Sequence, residues 1–250
     1  MDRIILIETS AALCSAALAE NGTSVAYKES SEPRMHASQT APFVQDVLAQ
    51  RNLKVSDCSA VALSSGPGSY TGLRVGSSTA KGLCFGAGIP LISICTLDVL
   101  AAKAKAFLQE ICDGREFSAI VPLIDARRNE VYTAIYSPEG ERLNEVAPLI
   151  IDEESFSELR AQGPVLFIGD AADKCRRLLF GTEATSPAAM TEIHSSEAEG
   201  HIFVQCLPTA ADMAGLAQSK LEAGQFEDIA YFEPFYLKEF VATTPKNKVF

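Results

Sequence analysis

The chain has 250 residues, 47% of them hydrophobic, and its 32 acidic against 21 basic side chains give a formal charge of −11 at pH 7. That length buries a sizeable core as one large domain or two small ones, and the acidity opposes unassisted binding to a phosphate polymer, which needs a basic footprint. No apolar run approaches a membrane span or a secretory h-region, since the first stops at Glu8, and the seven cysteines contain no Cys-x-x-Cys pair. The cysteines therefore read as reduced core thiols, and the chain as cytoplasmic with no membrane partner.

Arg3-Ile4-Ile5-Leu6-Ile7 predicts a buried central strand that ends in the polar group Glu8-Thr9-Ser10. Residues 14–20 and 23–29 read as strands joined by Asn21-Gly22, the signal of a two-residue hairpin. Residues 30–38 are polar with Pro33, a loop that brings His36 to a helix starting near Gln39, whose apolar stripe is Phe43, Val44, Val47 and Leu48. A strand at Val61-Ala62-Leu63 then runs into Ser64-Ser65-Gly66-Pro67-Gly68-Ser69-Tyr70-Thr71-Gly72-Leu73-Arg74-Val75-Gly76, and the stretch from Thr71 to Phe85 is free of proline. This is strand, tight turn and helix, with the turn at the carboxyl end of a strand, where open α/β sheets bind ligands. A strand over 91–95 follows. Thr96 then caps a helix lined by Leu97, Leu100, Ala101, Ala104 and Leu108.

At Ala119 the opening pattern returns. An apolar strand ends in Asp125, and strands over 131–136 and 143–151 flank a turn at Pro138-Glu139-Gly140. A helix over 152–161, a strand over 165–168, the turn Gly169-Asp170 and another helix complete the unit. Two ββ-led α/β units, each with an acid where its first strand ends, predict a duplicated ribonuclease-H-like architecture of the actin type. Its two lobes would each hold a mixed sheet flanked by helices. Residues 208–222 read as an alanine-rich helix that packs back on the first unit, so the lobes are expected at 1–105 with 208–225 and at 106–207. Residues 226–250 form a C-terminal segment and tail, frayed from Thr243.

The glycine stretch carries the most information. Gly66 and Gly68 can take positive φ, Pro67 between them fixes its own, and Ser69 or Thr71 can cap the helix, whose amino end could receive an anion. Gly72, Gly76 and Ala80 fall at i, i+4 and i+8, and an interior helical glycine costs about 1 kcal/mol against alanine. The expected reason is a flat groove for another helix, from this chain or from another. Neither a Walker loop nor a dinucleotide fingerprint is met, because Leu73-Arg74 follows Gly72 and Thr71 stands where the third glycine belongs. His36 with Ser64 or Ser65 lacks the Gly-x-Ser-x-Gly elbow of a serine hydrolase. His36, His194 and His201 contain no pair at metal-binding helical spacing, so no metal is expected. Arg74 is an ion-pairing residue or a phosphate contact, while Arg127-Arg128 and Arg176-Arg177 read as solvated faces.

The run Gly-Pro-Gly-Ser-Tyr-Thr-Gly-Leu-Arg-Val-Gly closely resembles the signature of the TsaB (YeaZ) family of tRNA threonylcarbamoyladenosine biosynthesis. Ile4 to Ser10, Cys14-Ser15-Ala16-Ala17-Leu18, the His36 segment, Ile124-Asp125-Ala126-Arg127, Glu130-Val131-Tyr132 and Tyr236-Leu237-Lys238 fit in the same order. The resemblance implies the actin-like (ASKHA) fold and a catalytically degenerate partner of TsaD. With the ATPase TsaE, that complex would transfer a threonylcarbamoyl group to the adenosine 3′ of the anticodon in tRNAs reading ANN codons. It implies a homodimer in isolation, contact with tRNA only through the complex, and no intrinsic cofactor, any ATP, ADP or Mg²⁺ belonging to the complex. The partner interface would be Gly66 to Arg74 with Gly76, Ala80 and His36, and Glu8, Thr9, Ser10 and Asp125 would be a vestigial nucleotide cleft. Glu8 stands where the family usually has aspartate, and a hard octahedral Mg²⁺ tolerates little misplacement. The alternatives are an ATP-dependent kinase of the same fold acting on a small metabolite, and a peptidase, which the missing histidine pair disfavours.

Overall fold

The computed structural model of the chain describes residues 1–111, 115–181 and 193–237. Leu108 as a facing side chain, Lys238 and the tail from Thr243 lie outside what it describes. The first sheet contains β1 (Arg3–Glu8), β2 (Cys14–Glu20), β3 (Thr23–Ser30), β4 (Ala60–Gly66) and β5 (Leu91–Cys95), in the order β3-β2-β1-β4-β5. Asn21 and Gly22 both take positive φ, as a two-residue turn between right-twisted strands requires. β1 runs antiparallel to β2 and parallel to β4, at the centre of the sheet.

Alternation along the strands sorts their residues to two buried faces, which is why the first run is apolar without interruption. Ile5, Ile7, Leu18, Val61 and Leu63 pack under α1 (His36–Ala49) and α2 (Tyr70–Ala87). Ile4, Leu6, Ala62, Ile92 and Ile94 face Val99 of α3 (Thr96–Ile111) together with Ala210, Met213, Ala214 and Ala217. α1 begins at His36, three residues before the expected start. α3 begins at Thr96, whose buried hydroxyl has no hydrogen-bond partner and so does not act as the expected cap.

The second sheet contains β6 (Ala119–Asp125), β7 (Glu130–Thr133), β8 (Ala147–Ile150), β9 (Val165–Gly169), β10 (His194–Ala198) and β11 (His201–Gln205), in the order β10-β11-β9-β6-β7-β8. β6 is antiparallel to β7 and parallel to β9, and β9 is parallel to β11. The sequence β8-β7-β6-β9-β11 therefore repeats β3-β2-β1-β4-β5, with β10 added at the edge. Leu97, Leu100, Ala101 and Ala104 of α3 pack into this second sheet, so one helix serves both halves.

Several elements are shorter than predicted, each because a side chain captures the backbone. Asn144 Oδ1 accepts from the Ile135 amide at 2.6 Å, ending β7 at Thr133. Ser155 bridges the amide and the carboxylate of Asp152 (3.0 and 2.7 Å), and Phe156 is left-handed, so α4 covers only Ser157–Gln162. α5 (Ala172–Phe180) follows β9. In the 208–222 segment Asp212 accepts from the Thr209 amide and hydroxyl and pairs with Lys103 at 2.9 Å. The α-helix α6 is thereby limited to Ala214–Glu222 after a single 3-10 turn. Residues 225–237 then strap the edge of the first sheet, with the Glu227 amide on Leu91 O and the Phe235 amide on Ser65 O. Among the described residues no helix is long and apolar enough to cross a membrane.

Candidate functional site

The glycine turn closes on the end of β1. A Cβ on Gly68 would lie 2.4 Å from Ser10 O, on Gly72 1.9 Å from Thr9 O, and on Gly76 2.3 Å from Thr9 Oγ1. Thr9 Oγ1 donates to Gly72 O (2.8 Å), the Ser69 amide donates to Ser10 O (2.6 Å), and the Gly72 amide donates to Ser69 Oγ (3.3 Å). Ser69, not Thr71, is thus the cap. The expected open groove is corrected: Gly72, Gly76 and Ala80 are buried, and the body that needs the missing side chains of the two glycines is this chain's own Thr9-Ser10. Gly66, with φ of +113°, is likewise pressed against Phe235 O, and Leu73 is buried.

The solvent side of α2 carries Thr71, Arg74, Ser78, Gly82 and Phe85, the last 81% exposed. Added Cβ atoms on Gly82 and Gly86 would meet nothing within 4 Å. This second small-residue row is absent from the sequence-based expectations, although Gly82 and Gly86 sit at i and i+4 only about 80° round the helix from Gly72 and Gly76. Among the described residues Arg74 makes no ion pair: its guanidinium lies 4.2 Å over the Tyr70 ring, which meets Tyr236 at a tilt of 43° with ring centroids 4.9 Å apart.

Glu8 is fully buried. Its Oε1 accepts from the Ser10 amide at 2.5 Å, its Oε2 has no partner, and burial pushes its carboxyl above the usual range. The expected four-residue nucleotide cleft is therefore divided. Glu8 and Thr9 are sealed behind the glycine turn, whereas Ser10 and Asp125 line a cleft of about 960 Å³. Ser10, His36, Pro67, Gly68, Ser69 and Tyr70 form one wall; Asp125, Arg127, Arg128, Tyr132 and Asp170 form the other. His36 Nε2 contacts Ala11 O at 3.0 Å, fixing the loop after β1.

Asp125 Oδ1 accepts from Lys174 Nζ and from the Arg127 amide, both at 2.6 Å. Asp170, read from the sequence only as part of a turn, accepts from the Asp125 amide at 2.7 Å, and burial pushes its carboxyl up to about 6. Gly169 before it would place a Cβ 2.0 Å from Leu123 O, so a glycine fit occurs in this half too. Its signal is the same strand-to-glycine junction, without the flanking glycines that make the first one legible.

The other candidates lie elsewhere. His194 pairs with Asp173 at 2.8 Å, and His201 Nδ1 accepts from the Val165 amide at 3.1 Å. Among the described residues no group of three His, Cys, Asp or Glu is placed to hold a metal. Arg176 is buried rather than solvated, while Arg177 is exposed. Burial pushes the thiols of Cys58 and Cys84 up to about 11 and those of Cys175 and Cys206 up to about 12.

Two sheets of one topology, each ending its first strand in an acid and together enclosing one cleft, define a duplicated ribonuclease-H-like protein of the actin type. The family model described as TsaD, tRNA N6-adenosine threonylcarbamoyltransferase, matches residues 30–245. The tRNA threonylcarbamoyladenosine biosynthesis protein TsaB of Escherichia coli is 30% identical over 96% of this chain and 96% of its own length. Its Bacillus subtilis namesake is 28% identical over 90% and 96%. YeaZ from Pseudomonas aeruginosa shares the fold with a TM-score of 0.75 at 24% identity, covering 95% of this chain and all of that one. The chain belongs to the TsaB (YeaZ) family of tRNA threonylcarbamoyladenosine biosynthesis proteins, within the wider group that the TsaD family covers.

Proposed function

We propose that this chain is the non-catalytic partner of TsaD in threonylcarbamoyl transfer to the adenosine 3′ of the anticodon of ANN-decoding tRNAs, acting with TsaE. The observation that carries the reading is the sealing of Glu8. A carboxyl with no exposed surface, bonded to its own backbone two residues on, does not fit a magnesium nucleotide. The alternative, an ATP-dependent kinase for a small metabolite, needs that acid at the ligand. On this reading ATP, ADP and Mg²⁺ belong to the assembled complex, and tRNA is reached through TsaD.

The surface offered to TsaD is the outward side of α2 beside α1, where Ser78, Gly82 and Gly86 let a partner helix approach closely and Phe85 supplies an anchor. The same face would pair two copies of the chain in the absence of TsaD. Co-purification with TsaD tests it. Gly82→Leu and Phe85→Asp are expected to abolish recovery of TsaD with an unchanged thermal midpoint, and full recovery by both folded variants would reject the surface. Titration of the isolated chain with Mg-ATP is expected to give no micromolar binding. Micromolar binding removed by Glu8→Ala would favour the kinase.

A further inference from the structure

The second buried face of the first sheet ends in a polar layer. Alternation puts Glu8 on the face of Ile4 and Leu6; in register it stands opposite Ser15 of β2, and on its other side Ser64 follows the Leu63 that pairs with Ile7. Ser64 pairs in turn with Ile94, two residues before Thr96. Glu8, Ser64 and Thr96 are at most 2% exposed, and Glu8 Oε2, Ser64 Oγ and Thr96 Oγ1 have no hydrogen-bond partner among the described residues. Ser15 Oγ accepts from the Ala210 amide at 2.9 Å, under the 3-10 turn that covers this face.

Among the described residues no cation pairs with the acid. The charged group that faces it is Asp212, of the same sign and already paired with Lys103 at 2.9 Å. The other titratable groups nearby are the Cys14 thiol, 3.4 Å from Thr40 Oγ1, and Tyr27 beside Ser15, which donates to Glu29; neither supplies positive charge. A carboxylate ion is strongly disfavoured in such surroundings, whereas the neutral acid has a proton on Oε2 to give to the Ser64 oxygen beside it.

The position of Glu8 ties its charge to the glycine turn. Its Oε1 accepts from the Ser10 amide, the Ser69 amide donates to Ser10 O, and Thr9 Oγ1 donates to Gly72 O. We propose that Glu8 carries a proton in the folded chain and acts as a pH-sensitive lock on this turn. Neutral, it holds Thr9 and Ser10 against the turn. On losing the Oε2 proton to solvent it swings toward the cleft, which Ser10, Gly68 and Ser69 line, and so unseats Ser10 from Ser69 and frees the amino end of α2. Burial pushes the carboxyl above its ordinary 4.5, so the closed turn is fully favoured below about pH 4.5 and loses that advantage as pH rises through the folded value. The inference rests on the sealing of Glu8 but on no partner, so it is decided on the isolated chain and apart from the TsaD reading.

The test compares the full chain with Glu8→Gln, whose amide keeps an acceptor for the Ser10 amide and a permanent donor toward Ser64. Hydrogen exchange over residues 8–10 and 66–76 is followed in both at matched pH, from about pH 6 to about pH 9, so that intrinsic rates cancel. Exchange in the parent chain is expected to accelerate relative to Glu8→Gln by about tenfold per pH unit until Glu8 is ionised, with the strands of the second sheet unchanged. Infrared difference spectra at about pH 6 are expected to show a protonated-carboxyl band that Glu8→Gln lacks. Absence of that band, a constant ratio of exchange rates at every pH, acceleration spread over both sheets, or a Glu8→Gln chain that does not fold would each overturn the proposal.

Discussion

Gly72 and Glu8 are two ends of one contact. With only 1.9 Å between an added methyl and Thr9 O, Gly72→Ala has no rotamer to choose and must move backbone. Urea unfolding is expected to show a loss of about 3 kcal/mol or more, whereas Gly82→Ala, with open space around it, is expected to stabilise by about 0.5–1 kcal/mol. Glu8→Gln keeps an acceptor for the Ser10 amide without a buried charge and is expected to leave stability at pH 7 unchanged or raised. Glu8→Ala strands that amide and costs about 2 kcal/mol. Asp170 titrates near 6 in the fold against 3.8 as its ordinary value, so its favourable contribution is complete below about pH 3.8 and lost as pH rises through about 6. Asp170→Asn is spared that loss: its advantage over the parent chain should grow between pH 4 and 7 by on the order of 2 kcal/mol, read from paired unfolding curves.

At the scale of elements, amphipathic periodicity is a better guide than capping. The stripe Phe43, Val44, Val47 and Leu48 is buried as expected, because burial follows from the 3.6-residue repeat alone. The helix expected over 208–222 is shorter in the fold, because the bonds of Asp212 to Thr209 and Lys103 join residues whose proximity no local pattern reveals. β11 is absent from the expected elements although Glu199-Gly200 marks a turn with positive φ at both residues, and it is the strand that completes the second copy of the sheet. The glycine row is legible as a close approach. What approaches is not, since a helical wheel gives phase but no neighbour.

At the scale of the whole molecule, Met213 lies about two hundred residues along the chain from β1, the central strand it covers. It is fully buried, so Met213→Ala is expected to cost about 2–4 kcal/mol in chemical unfolding and to loosen the first sheet rather than the second. Sedimentation across a concentration series is expected to show a dimer that Phe85→Asp converts to monomer, the measurement that separates a self-pairing α2 face from a solvated one.

The duplicated architecture, the buried central strands, the hairpin at Asn21-Gly22 and the family signature all follow from local pattern: period-two alternation, turn chemistry and the spacing of glycines. Only the folded chain decided that Glu8 is sealed, that Gly72 and Gly76 face Thr9 and not a visitor, and that Asp125 and Asp170 meet at one cleft. Those outcomes depend on distances between residues far apart in the chain, which packing sets and sequence order does not.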